Sequence, residues 1–158
     1  MEISKAVKFA ESEMKKHNLT NQGWIFELTR SKTIAGQCFY DEKKIKLSKW
    51  FVELNQSAIV KDVILHELAH ALVGYREGVD PHDFLWRHQC LKIGAVPRRY
   101  LDRGILTSPF AYVARCEKCE KEFTRYRLPN PKNILCCNEC AESKKTQLKW
   151  EKLEAATP

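Results

Sequence analysis

Long apolar runs are missing from this 158-residue sequence, and no stretch approaches the roughly 18 consecutive apolar residues of a membrane span. The opening residues, MEISKAVKFAESEMKKHNL, are charged throughout and lack the apolar segment of a secretory signal. These absences point to an intracellular protein, cytoplasmic or associated with the nucleoid or nucleus, with no membrane partner. Internal repeats and low-complexity segments are absent too. A hydrophobic content of 44% with 30% charged residues fits a soluble globular chain. The length suits one domain, or a compact domain followed by a small module.

Acidic charge is in deficit. The formal net charge is +7 and the isoelectric point about 9.0, which favours a polyanionic partner such as nucleic acid. The surplus is spread out, with 17 basic and 13 acidic side chains in residues 1–108 against 10 and 7 in residues 109–158. Charge alone therefore does not separate a nucleic-acid binder from any other basic protein.

Cysteine is plentiful: of seven, five fall between residues 116 and 140. In a chain expected to be intracellular, such clustering serves metals or thiol chemistry rather than disulfides.

Along the chain, Ile3, Val7, Ala10 and Met14 recur at helical spacing. WIFELT (24–29) reads as a strand. GQCFY and KIKLS, separated by DEK, read as a hairpin. Asn55 or Ser57 can cap a helix carried by AIVKDVILHELAHALVG, with Gly74 and Gly78 offering a stop. A second helix is expected from Asp80 as N-cap and Pro81 as first helical residue, running to about Gly94. Residues 95–109 form a connector, and a charged helical tail, AESKKTQLKWEKLEA, closes the chain.

HELAH (66–70) places two histidines four residues apart, about 40° around a helix, so both imidazoles can share a metal. Glu67 beside them can take a proton from water activated by that metal. Two histidines and a glutamate on a buried helix would be costly without one. A zinc hydrolase needs a third protein ligand. The class that uses a later glutamate is disfavoured, because none lies between Asp83 and Glu117. The class whose third histidine follows six residues after the second is excluded, because Arg76 stands there.

Asp83, His82 and His88 remain. On a helix starting near Pro81, His82 and His88 diverge by about 120°, so they cannot face one metal. Trp86 shares the face of His82, whereas His88 lines up with Phe84 and Leu91. This phase favours His82. Asp83 reads either as an acceptor for a histidine N–H or as a simple first-turn helix acid.

HELAHALVG, followed by a histidine with DFLW and then IGAVPRR, resembles the SprT-like metallopeptidase family, which includes the Spartan DNA–protein crosslink proteases. The segment WIFELTRSKTIAGQCFYDEKKIKLSKWFVELN is similar to that family's strand, hairpin and lead-in to the zinc helix. PHD stands where many members have GHG. The resemblance implies His66, His70 and His82 as zinc ligands, Glu67 as general base, and proteins on or crosslinked to DNA as substrates. No oxyanion stabiliser is identified. The KIKLS strand is expected to offer an edge to an extended substrate.

CEKC (116–119) and CNEC (137–140) form two CxxC knuckles, a pattern that completes a closed tetrahedral zinc site from Cys116, Cys119, Cys137 and Cys140. Members of the resembled family commonly end in such a ribbon. Cys38 and Cys90 sit in apolar contexts and read as core. Between the knuckles, Arg125, Tyr126 and Arg127 fit phosphate contact and base stacking on single-stranded DNA, and fit a solvated hairpin equally well. Arg98 and Arg99, in RRY (98–100), are a weaker candidate contact.

The expectation is an α+β chain. A small zincin-like metallopeptidase domain (1–108) comprises an N-terminal helix, a short antiparallel sheet, the HExxH helix and a second ligand helix. A zinc ribbon built on four cysteines, with a charged C-terminal helix (109–158), follows. The chain is expected to be a monomeric zinc endopeptidase holding one catalytic and one structural Zn2+. The rivals are a zinc-ribbon nucleic-acid-binding or regulatory protein with an idle HExxH site, and a metallohydrolase of another amide with no role for DNA.

Overall fold

The computed structural model describes residues 1–99, 106–130, 137, 140 and 148–153. Its backbone divides into two compact units, Met1–Ser108 and Pro109–Pro158. Both mix short sheets with helices or turns, as an α+β chain should. Tyr100, Cys136 and most of the expected helical tail lie outside the described residues.

The first unit begins with α1, Ile3–Lys16, which buries Ala6, Ala10 and Met14 along one stripe. Strands β1 (Ile25–Thr29), β2 (Gly36–Phe39) and β3 (Lys44–Ser48) form a sheet in the order β1-β3-β2. β2 and β3 make the expected hairpin, with Cys38 opposite Ile45. β1, however, pairs parallel to β3, with Phe26 opposite Ile45. The sheet is thus mixed rather than antiparallel. Residues 30–35 carry the chain past the neighbouring position to the far edge, and the hairpin returns β3 into the gap. Ile45 and Leu47 are fully buried while Lys44 and Lys46 are not, the alternation expected of a sheet with one face in the core.

This topology corrects one expectation. KIKLS is β3, the central strand, so its backbone hydrogen bonds are spent on both neighbours. The edge beside the helices belongs to β2.

Ser48 ends β3 and caps a short helix that no sequence signal announced, α2 (Lys49–Leu54), by accepting a hydrogen bond from the Phe51 N–H. The long helix α3 (Ser57–Val73) packs against α1, α2, β2 and β3 and against α4. Its core side chains include Val60, Ile64 and Leu68, all fully buried. Gly74 stops it in a positive-φ conformation (φ 78°) that glycine adopts without a Cβ clash.

α4 runs from Phe84 to Ile93, later than the sequence suggested. Asp83, not Asp80, is its N-cap, accepting from the Trp86 N–H at 3.1 Å. Asp80 instead opens a turn over Pro81 and His82. The Asp83 N–H donates to the Asp80 carbonyl at 3.1 Å, and the His82 N–H to its carboxylate at 2.9 Å. Proline at the second position of such a turn, after an aspartate, is favoured chemistry.

The second unit holds β4 (Tyr112–Arg115), β5 (Glu122–Arg125) and β6 (Trp150–Lys152) in an antiparallel sheet of order β5-β4-β6. β6 corrects the expected helix at those three residues: Trp150 packs on Ala114, Cys116, Cys137 and Leu148, a contact that overrides the helical preference of its charged neighbours.

Candidate metal centre

Helix α3 sets His66 and His70 on one side, and the Asp80–Asp83 turn brings His82 across to meet them. The three Nε2 atoms form a near-equilateral triangle. His66 to His70 is 3.2 Å, His70 to His82 is 3.2 Å, and His82 to His66 is 3.3 Å. Tetrahedral zinc bound at about 2.0–2.1 Å holds its nitrogens about 3.3–3.4 Å apart. Neutral imidazole nitrogens converging at that spacing fit zinc. Burial holds them neutral: His66 is pushed down to about 4 and His70 to about 3, burial being the main cause and the neighbouring imidazoles adding to it. His82 is lowered by burial and then by Arg99.

His82 therefore meets the other two from a turn before α4 rather than from the helix's first turn, and the helical phase that favoured it over His88 does not apply. His88 lies on α4 outside the triad and stacks against the exposed Phe84 ring. Asp83 adopts neither of its anticipated roles. Its carboxylate caps α4 and takes a two-pronged bond from Arg76, Nη1 at 2.9 Å and Nη2 at 2.8 Å. The Arg76 bond is the largest cause holding its pKa down at about 2.

Trp86 closes the site from below. It is fully buried, and its indole ring lies 4.8 Å from His66, 5.2 Å from His70 and 4.5 Å from His82, centroid to centroid. Tyr40, from the turn after β2, reaches His70 on the side away from the triad, with its hydroxyl 3.4 Å from Nδ1. Sequence reasoning missed Tyr40. Its only signal is its place one residue after a strand that turns out to border the site.

Glu67 is buried beside the triad, and burial pushes its carboxyl up to about 8, against the stabilising hydrogen bond from the Cys38 backbone N–H. A carboxyl near neutral pKa is suited to taking a proton and giving it back. Cys38 itself is half-buried, and burial raises its thiol to about 12, so it is inert as a nucleophile. Cys90 is buried in the core.

The triad opens into a cleft of about 1090 Å³. Its lining includes Gly36, Gln37 and Cys38 of β2, Ile59 and Val63 of α3, and Val96, Arg98 and Arg99 after α4. Arg99 pairs with Asp80 at 3.2 Å. Arg98 and Arg99 are therefore neighbours of the histidine site.

In the second unit, the sulfurs of Cys116, Cys119, Cys137 and Cys140 gather within 4.8 Å of one another. Cys119 to Cys137 is 3.6 Å and Cys116 to Cys140 is 4.0 Å. Four thiolates on tetrahedral zinc at about 2.3 Å stand about 3.8 Å apart, so this donor set also fits zinc. Backbone N–H groups of Cys119 and then Lys118 lower Cys116 to about 7, while the neighbouring Cys119 thiol and burial raise Cys140 to about 12. Tyr126 follows β5, 40% exposed. Its ring stacks on Phe110 at 4.8 Å, and the Arg125 guanidinium lies 5.5 Å over Trp150. Arg127, one residue on, is exposed.

Residues 4–104 match the SprT-like family. The chain is 28% identical to Protein SprT of Pectobacterium carotovorum subsp. carotovorum (strain PC1) over 121 residues, covering 73% of this chain and 71% of that protein. It is 29% identical to Protein SprT of Shigella boydii serotype 18 over 120 residues, covering 72% and 73%. Against Protein SprT of Proteus mirabilis (strain HI4320) the identity is 33% over 91 residues, 54% of each chain.

Proposed function

The chain belongs to the SprT-like family, and we propose that it is a zinc-dependent endopeptidase acting on proteins bound or crosslinked to DNA. The observation that carries the proposal is the Nε2 triangle of His66, His70 and His82, with edges of 3.2–3.3 Å, set beside buried Glu67 in an open cleft. A site built only to hold a metal has no use for a fourth, non-ligating carboxyl held close by in an open cleft.

Zinc bound at the triad would acidify water and polarise a substrate carbonyl. The remaining roles fall to the chain. Glu67, its pKa raised by burial, takes the proton of the attacking water and returns it to the leaving amine. The Cys38 N–H keeps the Glu67 carboxyl turned to one side. An extended substrate lies along the edge of β2, donating and accepting backbone hydrogen bonds as an added strand. Its side chains meet apolar residues of the cleft lining such as Ile59 and Val63. The four-cysteine ribbon holds a second, structural zinc. Association with single-stranded DNA is supported by the +7 net charge, by Arg98 and Arg99 in the cleft lining, and by the Phe110–Tyr126 stack with Arg125 and Arg127 close by in sequence.

The test is cleavage of a basic DNA-binding protein, with and without single-stranded DNA, by the chain and by Glu67→Gln. The proposal expects cleavage by the native chain, stimulated by DNA, and none by the variant. Equal cleavage by the variant, or none by either, overturns the peptidase reading. Cleavage indifferent to DNA overturns the DNA-associated part.

A further inference from the structure

A metal-bound histidine is usually oriented by a partner on its second ring nitrogen. His70 has one in the Tyr40 hydroxyl. His82 does not: among the described residues its Nδ1 is buried with no hydrogen-bond partner, and the Asp80 carboxylate oxygen is 3.9 Å away. The His82 ring is also the one triad member carried on a turn rather than on a helix. Beyond the packing of Trp86 against the ring, what aims it acts through the backbone.

The segment around His82 is held by its own backbone and by the Asp83 side chain. Its N–H donates to Asp80 at 2.9 Å, and its carbonyl accepts from Arg87 Nε at 3.2 Å. The next residue, Asp83, caps α4 through the Trp86 N–H and receives both terminal nitrogens of Arg76. Arg76 lies just past the end of α3, the helix that carries the other two ligands, and Asp83 adjoins the third. The two-pronged contact is therefore a strap from the two-histidine helix to the one-histidine turn. Of these ties, it is the one that refers His82 back to the His66–His70 segment.

We propose that the Arg76–Asp83 fork positions His82 and takes the place of the missing ring partner. Arg76 and Asp83 are positioning residues that touch neither metal nor substrate. A planar fork fixes distance and direction together, which a single charge on a flexible stem does not. This inference rests on the three-histidine zinc reading, and its test reads metal binding rather than proteolysis.

Two conservative variants isolate the fork. Arg76→Lys keeps the charge and loses the second prong. Asp83→Ser keeps an oxygen to cap α4 and loses the carboxylate. Zinc affinity is measured by chelator competition on the whole chain at neutral pH, with the four-thiolate site as internal reference. Cobalt substitution reports the geometry of the histidine site. The expectation for both variants is histidine-site affinity weaker by about 10–100-fold with an altered cobalt spectrum and an unchanged thiolate site. Combining them should cost no more than the worse of the two. Urea unfolding of the metal-free variants separates the positioning role from general destabilisation, since unfolding should stay close to native. If both variants bind zinc as tightly as the native chain with its cobalt spectrum, the positioning role is wrong while the zinc reading survives. If the native chain binds zinc only at the thiolates, the zinc reading fails and takes this inference with it.

Discussion

Gly36 and Glu67 are in closest approach across the cleft wall. A Cβ built on Gly36 would lie 3.0 Å from both Cγ and Oε1 of Glu67 and 3.1 Å from Cγ1 of Val63. The strand is bare at that point so that the carboxyl can sit against it. Gly36→Ala should displace Glu67, lowering kcat by about tenfold to a hundredfold. The overpacking should cost about 1–3 kcal/mol of stability. Zinc content should not change, because the atoms nearest the added Cβ belong to Glu67 and Val63 rather than to a histidine. Turnover and metal analysis on one preparation check this, and an Ala variant with native turnover refutes it.

Trp86 touches all three imidazoles from a fully buried position. Trp86→Ala should cost about 3–5 kcal/mol, measured by urea unfolding. Trp86→Phe should retain most of the stability while loosening the rings, so that zinc leaves faster in a stopped-flow chelator assay. A Phe variant that releases zinc no faster would mean that Trp86 only fills space.

The site's protonation gives the metal-free chain opposed pH limbs. Unfolded histidines titrate near 6.5, whereas folded His66 and His70 titrate near 4 and 3. Between those values the unfolded chain binds protons that the folded chain refuses, so these two groups make stability fall as the pH drops below about 6.5. Glu67 acts in the other direction. Its folded value of about 8 lies above the usual 4.5, so its contribution is complete below 4.5 and is lost as pH rises to 8. Glu67→Gln should therefore remove the decline on the alkaline side and keep the acid one. Denaturant unfolding of both metal-free proteins across this range measures it, and parallel curves would show that Glu67 does not carry the shift.

How much of this was legible in the sequence depended on range. HELAH and the two CxxC knuckles are local patterns, where spacing alone brings the donor atoms together. The pairing of β1 with β3 is not local, and nothing in WIFELT says that it will pass its neighbour and run parallel. Helical phase points to His82 from a premise that fails, since the residue lies on a turn before α4, whereas the family resemblance points to it independently. The competition between Asp80 and Asp83 for the cap was decided by the Trp86 N–H and by Arg76, partners that only the folded chain brings together. Tyr40 and Gly36 lie about 30 residues from His70 and Glu67 and carry no motif.

The ribbon has a small core, Ala114, Cys116, Cys137 and Leu148 among the described residues. Two of these four side chains are thiols of the candidate metal site, so metal binding is expected to be coupled to folding of the ribbon. Cys137→Ser, or a strong thiolate-site chelator, should expose residues 109–158 to protease while residues 1–108 stay resistant. Mass mapping of the fragments checks it, and an intact ribbon after zinc removal contradicts it.

Tyr126, stacked on Phe110, offers one face of its ring to solvent. Tyr126→Ala should weaken binding of a single-stranded oligonucleotide by about 1–3 kcal/mol with little change in salt dependence. Arg125→Ala and Arg127→Ala should flatten the salt dependence instead. Fluorescence anisotropy over a salt series distinguishes them, and unchanged affinity in all three would place DNA elsewhere.

Because His82 belongs to a turn, the interval separating it from His70 is not bound to helical periodicity. Residues can be added or removed around Gly78, in the exposed stretch after Arg76, without rotating either helix, provided that Arg76 still reaches Asp83. A fixed-spacing signature would lose such lengthened or shortened relatives. Any relative that keeps Asp80-Pro81-His82-Asp83 keeps the turn and the cap that deliver the ligand, whatever that interval.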